Sequence, residues 1–157
     1  MTNTVYCGMG CDILNYGHLN ALKKGAEYGK LIVGLYSDEI LNSYERIAIN
    51  TYENRKKILE SISYVSEVVE QKELDFTVNL QKYKPNYVIH GDNWKNSVYG
   101  VNKDSIINTL KEWNGELIEI EYSHGISTST IIEKVINEDN LRNNYILKSK
   151  KLREMIY

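Results

Sequence analysis

The sequence predicts an α/β fold, a doubly wound parallel sheet with helices on both faces in a single domain. Two observations carry this expectation. Short apolar runs of strand length alternate with segments whose apolar residues recur at helical spacing. Each segment rich in glycine, hydroxyl or carboxamide side chains also follows one of the strand runs. That is where ligand loops gather, at the carboxyl edge of an open parallel sheet.

The elements follow in order. Thr4–Met9 is apolar and β-rich and reads as the first strand, with Gly8 and Gly10 punctuating its end. From His18 to Tyr28, Leu19, Leu22 and Ala26 share one stripe, which predicts a helix stopped by Gly29. Leu31–Tyr36 is a continuous apolar run, as in a strand covered on both faces. The stretch from Asp38 to Thr51 has weak periodicity and reads as a loop. Thr51 is the expected N-cap of a helix through Ile62 that turns Ile58, Leu59 and Ile62 inward. Val65–Val69 is a short strand, and Leu74–Tyr83 a helix closed off by Pro85, the only proline. Tyr87–His90 is a further buried strand, Lys103–Trp113 a helix ending near Gly115, and Leu117–Ile120 the last strand. Ser127–Ile136 and Leu141–Ile156 are expected helices. The domain is taken as residues 1–136, with residues 137–157 a polar, lysine-rich helical extension of it.

Composition narrows the function classes. The 157 residues are 42% hydrophobic and 25% charged, as in an ordinary globular domain with a real core. A net charge of -2 gives no bulk attraction to nucleic acid or to an anionic membrane. No apolar run approaches the ~20 residues of a membrane helix. The N-terminus also lacks the basic-then-apolar pattern of a secretory signal, so a cytoplasmic protein is expected. Cys7 and Cys11 read as two buried thiols in a reducing compartment, since His18 alone does not complete a zinc ligand set.

Four loops carry chemistry. Gly8, Met9, Gly10 and Asp12 lead into Asn15-Tyr16-Gly17-His18, a tight glycine turn ahead of a helix start. A helix N-terminus offers free amides and a positive dipole end to a phosphate, and an imidazole there adds a donor. Ser37-Asp38-Glu39 follows the second strand. Gly91-Asp92-Asn93-Trp94 follows Tyr87–His90, with Asp92 and Asn93 suited to a base edge or ribose and Trp94 able to stack. Tyr122 leads to Gly125-Ile126-Ser127-Thr128-Ser129, whose hydroxyls and amides form a second phosphate cradle or simply a well-capped helix. Arg46, in the loop between Asp38 and Thr51, and Arg55, on the helix after it, are the cations available to a phosphate.

In this order these segments resemble the nucleotidyltransferases with a His-x-Gly-His signature, among them glycerol-3-phosphate and choline-phosphate cytidylyltransferases. The resemblance reaches about Val135. It rests on Asp12–His18, Leu31–Gly34 with Ser37–Glu39, Arg55–Ile62, Tyr64–Val68, Gly91–Trp94 and Gly125–Ser129. Gly8–Asp12, Tyr44-Glu45-Arg46, Asp92–Lys95, Leu110–Ile120 and Tyr122–Ser127 look closest to the branch linked to phosphoenolpyruvate mutase and phosphonate biosynthesis.

The resemblance implies CTP as nucleotide and Mg²⁺ on its triphosphate. It also implies a small phosphonate or phosphoalcohol as acceptor, and in-line attack on the α-phosphorus with release of pyrophosphate. His18 would donate to the α-phosphoryl oxygens, Arg46 would neutralise phosphate charge, Ser127–Ser129 would hold the β/γ end, and the Gly91–Trp94 loop would read the nucleoside. Family members of this size commonly pair, and 13 tyrosines against one phenylalanine offer amphipathic anchors, so a homodimer is expected. One position departs from the signature: Asn15 stands where the family has histidine. A carboxamide donates a hydrogen bond but is never a cation, so the resemblance implies either a working enzyme with Asn15, His18 and Arg46 as its catalytic residues or a nucleotide-binding module whose catalysis Asn15 weakens.

Overall fold

The computed structural model describes residues 2–43, 47–92, 103–121, 123, 125–137, 151 and 154. Of the expected site residues, Arg46, Asn93, Trp94 and Tyr122 lie outside them, as does nearly all of the expected Leu141–Ile156 helix.

Five strands form one parallel sheet: β1 (Thr4–Met9), β2 (Lys30–Tyr36), β3 (Glu67–Gln71), β4 (Tyr87–Gly91) and β5 (Glu116–Ile120). Their spatial order is β3-β2-β1-β4-β5, so the direction of winding reverses between β1 and β4. This is the Rossmann-like doubly wound arrangement, with its crevice at the carboxyl ends of those two strands. The helices are α1 (Tyr16–Ala26), α2 (Asp38–Asn42), α3 (Tyr52–Glu60), α4 (Thr77–Tyr83) and α5 (Lys103–Lys111). A further helix, α6, runs over residues 128–137.

Alternation along the strands divides the core in two. Val5, Cys7 and Met9 of β1 join Leu31, Val33 and Leu35 of β2 beneath α1 and α3, where Leu22 and Leu59 close the layer. Tyr6 of β1 and Ile32 and Tyr36 of β2 join Phe76, Leu80, Ile106 and Leu110 on the opposite face. Both faces of β1 and β2 are therefore dry, which is why these segments read as unbroken apolar runs.

Several boundaries moved for physical reasons. α1 begins at Tyr16, not at His18, because Asn15 is its cap. α2 was missed: Ser37 accepts from the Ile40 N–H and starts a helix of five residues, too short to show a period. Thr51 caps α3 as expected, through the Asn54 N–H. Ile58, however, is 38% exposed, because Leu59 and Arg55 occupy the inner stripe of α3. β3 lies further along than the apolar window suggested. Its pairing with β2 runs on to Glu70 and Gln71, and Gln71 is buried by hydrogen bonds rather than by an apolar side chain. α4 starts at Thr77, where Asp75 accepts from the Thr77 N–H and hydroxyl.

Two glycines set a close approach. Gly8 and Gly34 are register partners on β1 and β2. A Cβ at Gly34 would enter the Tyr6 hydroxyl, and one at Gly8 would enter the Phe76 ring. The two rings meet edge to face at 5.8 Å over this glycine floor. The Tyr6 hydroxyl donates to Gln71 Oε1, and Asn79 Nδ2 donates to both Tyr6 Oη and Gln71 Oε1 at 2.9 and 2.8 Å. Gln71 Nε2 in turn donates to the carbonyls of Glu73 and Asp75. Burial pushes the Tyr6 phenol well above its ordinary value, so it stays a donor throughout the physiological range.

The glycine floor gives a prediction. Gly34→Ala forces the Tyr6 ring from its place and lowers stability by roughly 1–3 kcal/mol, the usual cost of overpacking. Urea denaturation followed by circular dichroism will read it as a lower midpoint.

Candidate functional site

The crevice opens where β1 and β4 part. They pair at Val5–Tyr87 and Tyr6–Val88, while β4 stays paired with β5 as far as Gly91. Beyond Val88, the carboxyl ends of β1 and β4 border the switch point.

The turn leaving β1 is held by a buried cation. Arg55 is fully buried on α3. Its Nη1 donates to Gly10 O at 2.7 Å, its Nε to Asn50 O at 3.2 Å and its Nη2 to Asp38 Oδ1 at 2.7 Å. The Tyr52 ring adds a cation–π contact at 5.8 Å. A buried guanidinium persists only when its donors find acceptors, and this one draws on three chain segments. Arg55 was expected to reach a substrate phosphate; fully buried, it instead positions the turn. Desolvation pushes the Asp38 carboxyl up, but the Tyr52 N–H and the Arg55 guanidinium more than offset it, leaving the carboxyl below its ordinary value.

Asp12, expected among the nucleotide contacts, is also spent on structure. Its carboxylate accepts from the N–H groups of Ile49 and Asn50 at 2.9–3.1 Å, and Asn50 Nδ2 donates to Asp12 O at 2.6 Å. Met9 packs in the core and Gly8 carries the Phe76 ring, so neither offers a side-chain contact to a ligand. Between Gly10 and Asp12, Cys11 takes a left-handed φ of 46°, a costly conformation for a non-glycine residue that the surrounding hydrogen bonds sustain. Cys7 and Cys11 are buried free thiols, as expected, and burial pushes both up to about 12, so they are not nucleophiles.

The helix start is a capping box. Asn15 Oδ1 accepts from Gly17 N at 3.0 Å and Asn15 Nδ2 donates to Ile13 O at 3.1 Å. The Asn15 N–H donates to His18 Nδ1 at 3.3 Å. Two consequences follow. The carboxamide is committed to the cap, at 9% exposure. An accepting Nδ1 also puts the proton of the neutral His18 ring on Nε2.

Over this turn lies the loop after β5. A Cβ at Gly17 would sit 3.1 Å from Asn15 Oδ1 and 3.6 Å from Ile126 O and from Ser123 Cβ, so the loop and the helix start are in close contact. Asn20 Nδ2 donates to Ser123 Oγ at 3.3 Å. Ser127 Oγ accepts from Thr130 N at 3.1 Å and caps α6. Thr128 is buried against the same turn, its hydroxyl 3.5 Å from Ile13 O. Gly125 has a φ of 79°, which favours glycine, and Ser129 is exposed. The structure thus brings Asn15, Gly17, His18 and the 125–129 segment together, two helix N-termini at one edge. Gly91 and Asp92 lie at the end of β4, where the Asp92 N–H donates to Ile120 O at 3.0 Å.

A family model described as cytidylyltransferase-like matches residues 9–134. The chain belongs to the cytidylyltransferase-like family. The glycerol-3-phosphate cytidylyltransferase of Bacillus spizizenii is 34% identical over 122 residues, covering 76% of this chain and 87% of that one. The ethanolamine-phosphate cytidylyltransferase of Mus musculus is 28% identical over 134 residues, covering 84% of this chain and 32% of that longer one. Both names denote nucleotidyltransferases. Among solved structures, the lipopolysaccharide core biosynthesis protein of Thermoplasma volcanium has a TM-score of 0.64 at 18% identity, covering 78% of this chain and 98% of that one. That likeness speaks for the fold.

Sequence reasoning missed Asn50 and the structural role of Arg55. The one available signal was that Arg55 lies four residues before Leu59, on the inner stripe of its helix. Arg55→Ala should leave Gly10 O and Asn50 O without their buried donor and cost about 1–3 kcal/mol for each acceptor left unsatisfied. The Asp38 carboxyl is held below its ordinary value. Its contribution is therefore complete above the unfolded-chain pKa of about 3.9 and is lost as pH falls through the lower folded value. Thermal scans from pH 7 to pH 2 should show a shallower acid loss in Asp38→Asn than in the wild type.

Proposed function

We propose that the protein transfers the cytidylyl group of CTP to a small acceptor carrying a phosphonate or phosphate monoester. An acceptor oxygen attacks the α-phosphorus in line, the bond to the bridging α–β oxygen breaks, and pyrophosphate leaves. The observation that carries this reading is His18 on the first turn of α1, beside the capped start of α6, at the switch point of the sheet. The cytidylyltransferase names of the relatives support the nucleotide and reaction type, and their phosphate-ester names support the acceptor class.

In this reading the amides at the start of α1 face phosphate oxygens, and His18 Nε2–H supplies a donor as charge builds on the α-phosphoryl group. Ser127, Thr128 and Ser129 at the start of α6 hold the far end of the triphosphate. Gly91 and Asp92 serve the nucleoside side, with Asn93, Trp94 and Tyr122 assigned there from the sequence. Arg46 supplies the charge that Asn15 lacks. Among the described residues no group of three or more His, Cys, Asp or Glu stands together as a metal cage. Mg²⁺, implied by the family resemblance, would accompany the triphosphate and offset its charge. The phosphonate acceptor rests on the branch-like segments around Gly8–Asp12 and Leu110–Ile120; a glycerol-3-phosphate-type acceptor is the second reading, favoured by the relatives' names.

The test is pyrophosphate release with CTP and Mg²⁺ against 2-hydroxyethylphosphonate, 2-aminoethylphosphonate, phosphocholine and glycerol 3-phosphate. Release with one of them supports the reading, and no release with any removes it. His18→Ala should lower kcat by about 10²–10³, the cost of one donor to a developing oxyanion. Asn15→Ser keeps a cap acceptor for Gly17 N, so its melting temperature should stay near the wild-type value and its kcat should fall less than that of His18→Ala.

A further inference from the structure

At the end of β4, one histidine has no part in the reading above. His90 is half-buried beside the crevice, with its ring 6.3 Å from the Phe76 ring that lies over Gly8. Its Nδ1 is 2.7 Å from Gly91 O. A carbonyl only accepts, so Nδ1 carries the hydrogen and Nε2 is the acceptor of the neutral ring. On the neighbouring strand its register partner is Glu119, whose carboxylate is paired at 2.6 Å with Lys103 of α5. Burial holds the imidazole below its ordinary pKa, against the opposing pull of Glu119. A neutral ring with a fixed tautomer suits a clamp rather than a charge.

We propose that His90 is a positioning residue for the nucleotide-reading turn, its Nδ1–H fixing the Gly91 carbonyl and so the direction in which the chain enters Asp92. The clamp acts from one side of the Gly91–Asp92 peptide. The Asp92 N–H, bonded to Ile120 O, anchors it from the other. Together they set the peptide plane at the crevice edge, just beyond the last β4–β5 pair, Gly91–Ile120. A freely rotating Gly91 peptide would have to be ordered by the nucleotide, at a cost in affinity. The inference rests on the proposal that this turn serves the nucleoside.

The experiment measures CTP binding by calorimetry, with kcat and the acceptor KM alongside. His90→Leu keeps the bulk beside Phe76 and removes the donor. It should weaken CTP binding about tenfold, roughly the loss of one hydrogen bond, and leave kcat at saturation and the acceptor KM within about threefold. His90→Gln places its donor where Nε2 was and should behave like His90→Leu, which covers the case in which leucine disturbs folding. His90→Asn can put its amide where Nδ1 was and should restore affinity to within about threefold of wild type. Unchanged CTP affinity in His90→Leu and His90→Gln overturns the proposal, as does equal loss in the Asn, Gln and Leu variants. A wild-type protein that binds no CTP overturns the nucleotide reading itself, and this proposal with it.

Discussion

A single buried cation organises the edge of this sheet. The guanidinium of Arg55 sits out of water and draws its three acceptors from the turn after β1, the segment before α3 and the start of α2. Burying that charge is unfavourable unless the acceptors are fixed, and fixing them is what gives the β1–α1 turn its shape. The strained Cys11, the Asp12 clamp on Ile49 and Asn50, and the cap at Asn15 all lie within a few residues of Gly10, one of those acceptors. These bonds hold the turn in one shape, the kind of preorganisation that the proposed reaction would use.

On that frame the departure at Asn15 takes on a definite meaning. The carboxamide closes the helix cap, accepting from Gly17 and donating to Ile13, while its backbone N–H fixes the tautomer of His18. Asparagine is among the best N-caps, so the residue here serves the helix start and carries no positive charge. His18 and the amides of α1 are then the donors that the described part of this turn offers to a phosphate. In the proposed reaction the missing charge is assigned to Arg46, which precedes in sequence the Ile49 and Asn50 N–H groups that Asp12 holds.

Much of this was legible in the sequence. The apolar run at Thr4–Met9 reads as a strand and that at Leu31–Tyr36 as a strand covered on both faces, and the order of the loops points to their carboxyl ends for the candidate site. What stayed hidden was the use of polar groups inside. Arg55 looks like a surface cation until the inner stripe of α3 is counted from Leu59. Gln71 and Asn79 give no periodic signal because hydrogen bonds, not apolar area, bury them. Asp12 lies in the loop after β1 and Met9 at the end of that strand, but both side chains are turned into the protein, and the direction of a side chain at a turn is invisible to composition. α2 was hidden by its length alone.

In the proposed reaction this edge moves a nucleotidyl group and not a terminal phosphoryl group. CTP labelled at its α-phosphate, incubated with Mg²⁺ and each acceptor and resolved by chromatography, tests it most directly. The label should pass to the acceptor as a cytidylyl phosphoanhydride, with unlabelled pyrophosphate in equal amount. Label retained in CDP, with the acceptor gaining the terminal phosphate, would contradict it.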